Sequence, residues 1–515
     1  MIDNNIKSKT YKTTCRYSQY PTELFAQLTK NTDNVMLLES CEIDSKDNMQ
    51  SLLLISSALK IVCRHRQVTF TALNKNGEAL LPLMTDHFSS VVTHQDNVSL
   101  VVEYPQPNNN LDQDSRLQAQ SPFSALRDLS QLLSQDENDQ HRYIAGTFAY
   151  DMIASIENLP SVKDGVNQCP DFVFYVIEDA LMLDHQGQTS TLISHQFTPT
   201  SDNSVQAKHE QLVSTIETIE IESIDGAPVT ASVDVSINDD EFIGTVNYLK
   251  QEIVKGNIFQ VVPSRAFSLP CPNPLAAYIE LKRTNPSPYM FYIKDSEFCL
   301  FGASPESALK YDKPSNQVEV YPIAGTRRRG FNADGTINAD LDGRLELDLR
   351  LDKKELAEHI MLVDLARNDV ARISEAGTRT VKELLKVDRY SHVMHLVSRV
   401  VGQLRHDLDA LHAYQACMNM GTLVGAPKIK ASVLIREVEQ QRRGSYGGAV
   451  GYINSRGDMD TCIVIRSAFV KDNVATIQAG AGVVFDSDPQ AEADETRAKA
   501  QAVISAISAK GACHA

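Results

Sequence analysis

The chain has 515 residues, and its 49 Lys and Arg against 66 Asp and Glu give a formal net charge of −17. An acidic surface with no long Lys/Arg tract repels phosphate backbones, so nucleic acid is excluded as an expected partner. Hydrophobic residues at 42% and charged residues at 22% form an ordinary globular mix, long enough to bury a large core without disulfide or metal staples.

The N-terminus, MIDNNIKSKTYKTTC, is polar and lacks the apolar core of a secretory signal. The most apolar early run, Ser51 to Cys63, is broken by Lys60 and is shorter than the ~20 residues of a bilayer span, so no membrane insertion is expected. Nine cysteines are scattered without a CxxC or zinc-type spacing and read as reduced thiols of a cytoplasmic protein. Trp is absent. From about Tyr20 to Ile193, strand-like runs (SLVVEY, TFAYDMI, DFVFYVIEDALML) alternate with polar turns, and NNNLDQDS reads as a loop. Gln196 to about Asp239 turns Ser/Thr/Asp-rich around one helical stretch, HEQLVSTIETIEI, and marks a boundary. Beyond it, DEFIGTVNYLKQEIVKGNIFQ predicts a helix ended by Gly256. ELAEHIMLVDLARNDVARI and DPQAEADETRAKAQAVISAI predict amphipathic helices, the second with Pro489 in its first turn. PYMFYIK, FCLFGA, GGAVGYI, DTCIVIRSAFV and VATIQAGAGVVF predict strands. Mixed in this order without regular βαβ alternation, they argue for an α+β fold.

Three constellations look chemical. Glu355 and Glu358 lie three apart in one predicted helix, and Glu492 and Glu495 repeat the spacing in the last. Residues at i and i+3 share a face, so each helix presents two carboxylates to one point. Such oxygens suit Mg²⁺, or else they form a solvated acidic face with Lys353, Lys354, Arg497 and Lys499 nearby. Second, GASPES, PIAGTRRRG and QAGAGVVF are glycine-rich strand ends where backbone can approach an anion closely. Arg327, Arg328 and Arg329 follow one of them, and Arg466 sits in the apolar run DTCIVIRSAF. A charge there needs either an anionic ligand or an internal glutamate. Third, His395 has a near-neutral pKa suited to proton transfer, with His392 equally eligible, and Glu306 follows a Pro in a tight turn.

The segments LLES (Leu37–Ser40), NPSPYMFY (Asn285–Tyr292), GASPE, PIAGTRRRG, LVDLARND, GTLVGAPKIKA and AGAGVVFDSDPQAEADET, in this order, resemble the chorismate-utilising family of anthranilate synthase component I. The resemblance implies two packed β-sheets flanked by helices in α/β/β/α layers. It implies a regulatory region over 1–225 and a chorismate-binding catalytic region over 226–515. It also implies an Mg²⁺-dependent lyase that converts chorismate and ammonia to anthranilate and pyruvate, the first step of tryptophan biosynthesis. Glu358 and Glu495 match metal ligands, with Glu355 and Glu492 close by. Gly325, Thr326, Tyr446, Arg466, Gly480, Ala481 and Gly482 match substrate-holding positions, and Lys499, one turn past Glu495, faces the same site. Glu306 is the implied proton donor to the leaving hydroxyl, oriented by Thr422, and His395 assists the proton movements.

Within the family two positions discriminate. Aminodeoxychorismate synthase, the runner-up, carries a nucleophilic lysine where this chain has Ala324. Isochorismate and salicylate synthases carry a lysine base where this chain has Gln260, which cannot activate water. No glutaminase elbow is present, so a separate glutamine amidotransferase subunit is expected to supply ammonia within a heterotetramer. Glu39 and Ser40 of LLES, with Pro288, Tyr289, Met290, Val450 and Tyr452, resemble the family's tryptophan feedback site. Gln50 falls where some relatives carry a basic residue.

Overall fold

Two long strands, Gln50–Arg64 and Phe172–Asp184, organise the molecule. They pair along their whole length, with register shifts between Leu54 and Leu59 that bend the ribbon. The computed structural model describes residues 9–40, 49–88, 91–108, 110–134, 141–199, 202–224, 229, 232–390 and 393–508. His392, weighed above beside His395, lies outside them.

On one side of the bend the ribbon is flanked by Thr189–Gln196 and Lys9–Cys15. On its other edge follow Val35–Glu39, Tyr289–Lys294, Cys299–Ser304, Ser467–Lys471, Val474–Gly480 and Ser264–Pro270. On the other side of the bend, Gln67–Ala72 and Ser99–Glu103 lie along one edge. Tyr143–Phe148, Ala449–Asn454, Met459–Ile463, Ser307–Asp312 and the Val393–Gln403 region continue the opposite edge. Followed pair by pair, these ladders branch but never return to their starting strand. They make two open sheets sharing a corner, not a barrel.

Side-chain alternation places three cores. Met36, Leu54, Phe291 and Val450 fill the space between the sheets. Their neighbours Leu37, Leu53 and Tyr292 turn outward against helices Pro274–Thr284 and Pro489–Ile507 through Tyr278, Leu281, Val503 and Ile504. On the outer face of the second sheet, Phe148 stacks on Tyr414 at 4.4 Å, with Phe123 beside them. The expected helix/sheet/sheet/helix layering is therefore present. Strands from both sides of residue 225 share both sheets, as the pairs Val35–Glu39 with Tyr289–Lys294 and Tyr143–Phe148 with Ala449–Asn454 demonstrate.

Three local expectations need correcting. NNNLDQDS is not all loop: Asp112 caps Ser115 N–H at 3.0 Å and starts the helix Gln113–Gln118. The run DTCIVIRSAFV is two strands, because Arg466 takes a left-handed φ of 48° between them. Gly302 of GASPES serves packing, not anion approach: a Cβ there would lie 2.6 Å from Phe291 and 2.7 Å from Ser467.

Candidate active site

Two helix starts bring the acidic residues together. Asp352 caps Lys353–Ala371 through the N–H groups of Lys354 and Glu355, at 2.9 and 3.2 Å. Asp488 caps Pro489–Ile507 through Ala491 N–H at 2.9 Å. Glu355 and Glu492 thus lie in the opening turns, where the helix dipole favours negative charge, and Glu358 and Glu495 follow one turn further in. Glu358 is pushed up to about 7, first by burial and then by repulsion from Glu355, Glu492 and Glu495. All four therefore share one electrostatic site; the i, i+3 spacing predicted each pair, and the family resemblance implied that the two pairs meet.

Basic side chains hold this quartet apart. Arg327 reaches Glu355 at 3.1 Å while also binding Asp348 and Asp352, each at 2.7 Å. Lys499 pairs with Glu495 at 2.6 Å, and Lys354 stands 3.9 Å from Glu358. Among the described residues no three acidic, histidine or cysteine side chains converge closely enough to hold an ion as they stand. Yet Glu358 Oε1 and Glu492 Oε2 are buried without a hydrogen-bond partner among the described residues. Carboxyl oxygens without a hydrogen-bond donor in an acidic pocket, Glu358 with only the Lys354 ammonium at 3.9 Å, suit a hard divalent cation once Glu358 gives up its proton. Arg327 and Arg329 belong to internal ion pairs, the latter with Asp342 at 2.9 Å, and so are not the anion holders their glycine-rich setting suggested.

Next to the quartet lies the bulged strand Ile323–Arg328 of the PIAGT segment. Gly325 has φ 83°, and a Cβ on it would sit 3.3 Å from Glu355 Oε2, so the backbone needs glycine here. Thr326 Oγ1 bonds His395 Nδ1 at 2.9 Å. His395 is 5% exposed, and burial followed by the Arg466 charge pulls it down to about 4. It is therefore neutral at physiological pH, with Nε2 unpartnered among the described residues.

Glu306 behaves oppositely. Burial pushes its carboxyl up to about 8, against smaller lowering effects from Thr422, Lys499 and Arg466. Thr422 Oγ1 donates to Glu306 Oε1 at 3.0 Å. Glu306 is thus an uncharged acid at neutral pH, held in one rotamer by a hydroxyl. Arg466 has no carboxylate at ion-pair distance among the described residues, and burial lowers its pKa despite Tyr390 and Glu306 nearby. Of the two readings left open for this residue, the internal glutamate pair is not formed.

The third wall is the QAGAG turn. A Cβ on Gly480 would lie 3.0 Å from Tyr446 Oη, and one on Gly482 would lie 2.9 Å from Gln260 Nε2. Lys499 Nζ donates to Gly480 O at 3.1 Å. Gln260 is buried with Oε1 unpartnered among the described residues. Ala481 departs from expectation: it is fully buried and its N–H donates to Pro263 O at 3.2 Å, so it offers no donor to a ligand.

Sequence reasoning missed Tyr390, whose ring meets His395 edge-on at 5.2 Å. It also missed Arg443 and Glu439, which are buried behind the site. An E-x-x-x-R spacing before Gly444 was the available signal.

A cavity of about 670 Å³ opens elsewhere, between the sheets. It is lined by Glu39, Ser40, Tyr289, Met290, Val450 and Tyr452, together with Gln50. Pro288 lies outside the lining. Glu39 also accepts a 2.7 Å bond from Lys282.

Taken together, a cluster of four glutamates, an arginine without a carboxylate partner among the described residues and a neutral carboxylic acid define an enzyme-like site suited to an anionic ligand. The model of the chorismate binding enzyme family matches residues 89–505. Anthranilate synthase component 1 of Vibrio cholerae serotype O1 is 57% identical over 500 residues, covering 95% of this chain and 94% of that protein. Its namesake from Escherichia coli K12 is 53% identical over 500 residues, covering 95% of both. Anthranilate synthase component I from Streptococcus pneumoniae TIGR4 superposes with a TM-score of 0.69 at 28% identity, over 90% of this chain and 94% of that one. The menaquinone-specific isochorismate synthase of Escherichia coli shares the fold, with a TM-score of 0.66 at 16% identity over 98% and 95%. The chain belongs to the chorismate-binding enzymes, within the anthranilate synthase component 1 family.

Proposed function

We propose that the chain converts chorismate and ammonia to anthranilate and pyruvate, with release of water. One observation carries this reading: Glu306 is a buried acid, uncharged at neutral pH and held by Thr422, in a site where Gln260 Oε1 and His395 Nε2 are buried without a hydrogen-bond partner among the described residues. Each is a cost to folding that a ligand with complementary groups removes. Glu358 and Glu495, with Glu355 and Glu492, would hold Mg²⁺, which supplies Lewis-acid polarisation of the ring carboxylate when bound.

The chain's own groups do the rest. Glu306, protonated, gives its proton to the leaving 4-hydroxyl while Thr422 fixes the carboxyl. Ammonia adds beside the carboxylated carbon, and Gln260, unable to deprotonate water, favours a nucleophile that needs no activation. The ring proton at the aminated carbon then goes to a base as the enolpyruvyl C–O bond breaks. Neutral His395, anchored by Thr326, offers Nε2 for that proton. Arg466, Tyr446 and the Gly480 and Gly482 backbone hold the side-chain carboxylate so that the ring stays in register across both steps.

The cavity between the sheets suits tryptophan as a feedback ligand: its size is that of a small-molecule site, with Met290, Val450 and Tyr452 for the indole. The region over 1–225 would then contribute the regulatory wall and 226–515 the catalytic one. A glutamine amidotransferase subunit would deliver ammonia, two copies of each chain forming a heterotetramer. Buried cysteines kept as thiols, such as Cys63, Cys169 and Cys417, support a cytoplasmic setting. The test is product analysis with chorismate, ammonium and Mg²⁺, expecting the ortho amine and none from glutamine alone. The para amine would overturn the reading in favour of aminodeoxychorismate synthesis.

A further inference from the structure

Arg443 is 1% exposed and holds three separate pieces of chain at once. Its Nη1 donates to Leu423 O at 2.9 Å and its Nη2 to Val262 O at 2.6 Å. Its Nε donates to Glu439 Oε2 at 2.9 Å. The guanidinium lies over the rings of Tyr150 and Tyr446, 4.6 and 5.7 Å from their centroids. Glu439 extends the node: its Oε1 accepts both the N–H and the Oγ–H of Ser264, each at 2.8 Å, and Ser264 Oγ accepts from Gln478 at 2.8 Å.

Each anchored segment carries a residue of the proposed chemistry. Leu423 follows Thr422 in the helix Gly421–Val424, too short to satisfy its own carbonyls. Val262 lies two residues past Gln260, in the segment that pairs with Gly425 and Ala426. Tyr446 touches Gly480. A planar fork with fixed donors sets distances between such segments, which a flexible ammonium cannot do. The guanidinium also serves stability, since without it the carbonyls of Leu423 and Val262 and the Glu439 carboxylate lose a buried donor, so a kinetic readout has to separate the two roles.

We infer that Arg443 is a positioning residue: it locks Thr422, Gln260 and Tyr446 into one register around the substrate, without touching substrate itself. The inference rests on the chorismate reading, so wild type is assayed first; a wild type inert toward chorismate sinks that reading, while the comparisons below decide this one. Misplacement by about 1 Å can cost on the order of 100-fold in rate. Arg443→Lys is therefore expected to lose about that factor in kcat/KM for chorismate, at a temperature where circular dichroism shows it folded.

A purely structural role would leave the pH profile alone. Thr422 lowers the carboxyl of Glu306, which is also faced by Lys499, Arg466 and Tyr390, none of them bonded to Arg443. With Thr422 displaced, the alkaline limb of kcat/KM should move to higher pH. Thr422→Ala should give the same movement, and the double variant no more. A folded Arg443→Lys with wild-type kcat/KM, or with a lower rate on an unmoved limb, overturns the inference. Should that variant not fold, Ser264→Ala, which removes one hydroxyl from the same node, is expected to lower kcat/KM several-fold, and unchanged kinetics overturns it.

Discussion

Replacing Glu306 by Gln should make the protein more stable and nearly inactive. The side chain is 7% exposed, and burial lifts its pKa from 4.5 to about 8. Between those values the folded chain keeps a proton that the unfolded chain gives up. The native state therefore loses ~1.36 kcal/mol per pH unit across this window relative to a side chain that never ionises. Gln, neutral at every pH, has the shape of the protonated acid and keeps a bond to Thr422. The variant should match wild type near pH 4, exceed it by about 3 kcal/mol at pH 7, and level off near 5 kcal/mol above pH 8, by the same linkage. Chemical denaturation at three pH values measures this. Turnover with ammonium should fall by ~10²–10⁴-fold, the usual scale of a lost proton donor. A variant less stable than wild type at pH 7, or one that keeps its kcat, would refute the assignment of Glu306 as a buried neutral acid.

Glu495→Gln should weaken Mg²⁺ binding measured calorimetrically without substrate, by tenfold or more on the scale of lost metal-shell residues; unchanged affinity would remove Glu495 from the metal set. Because the chain contains no Trp, fluorescence of added tryptophan reports only the ligand. Tyr452→Ala should abolish its binding while kcat at saturating chorismate stays within a factor of two, and retained binding would move the feedback site out of the cavity. Gln260→Lys should lower anthranilate formation and yield a hydroxylated product from water, detected by chromatography. An unaltered product would show that this position does not choose the nucleophile.

What was legible in the sequence follows from the range of the interactions involved. The two glutamate pairs were found because i, i+3 spacing is a local property of helices, and the mixed α+β class because helical and strand periods are local too; that the pairs meet and that the sheets are layered were implied only by the family resemblance. The Asp112 cap was missed, although Asp followed three residues later by Ser is itself a local signal. Arg466 was misplaced because an apolar run reads as one strand, and a left-handed φ of 48° leaves no mark on neighbouring side chains. Ala481 looked like a donor because nothing nearby in sequence reveals Pro263, which takes its N–H.

Arg443 marks the outer limit of such reading. Its partners are carbonyls of Val262 and Leu423, distant in sequence and carrying no residue-type signal, since every residue has a carbonyl. Only its i, i+4 neighbour Glu439 was visible, and that pair looks like any helix-surface ion pair. Burial changes its meaning: the side chain of Arg443 is 1% exposed and that of Glu439 5%, so losing the guanidinium would leave a buried carboxylate and two carbonyls without their donor. A buried cation that donates to two distant carbonyls is best understood by what those segments carry, and here they carry Thr422 and Gln260, two residues of the proposed chemistry.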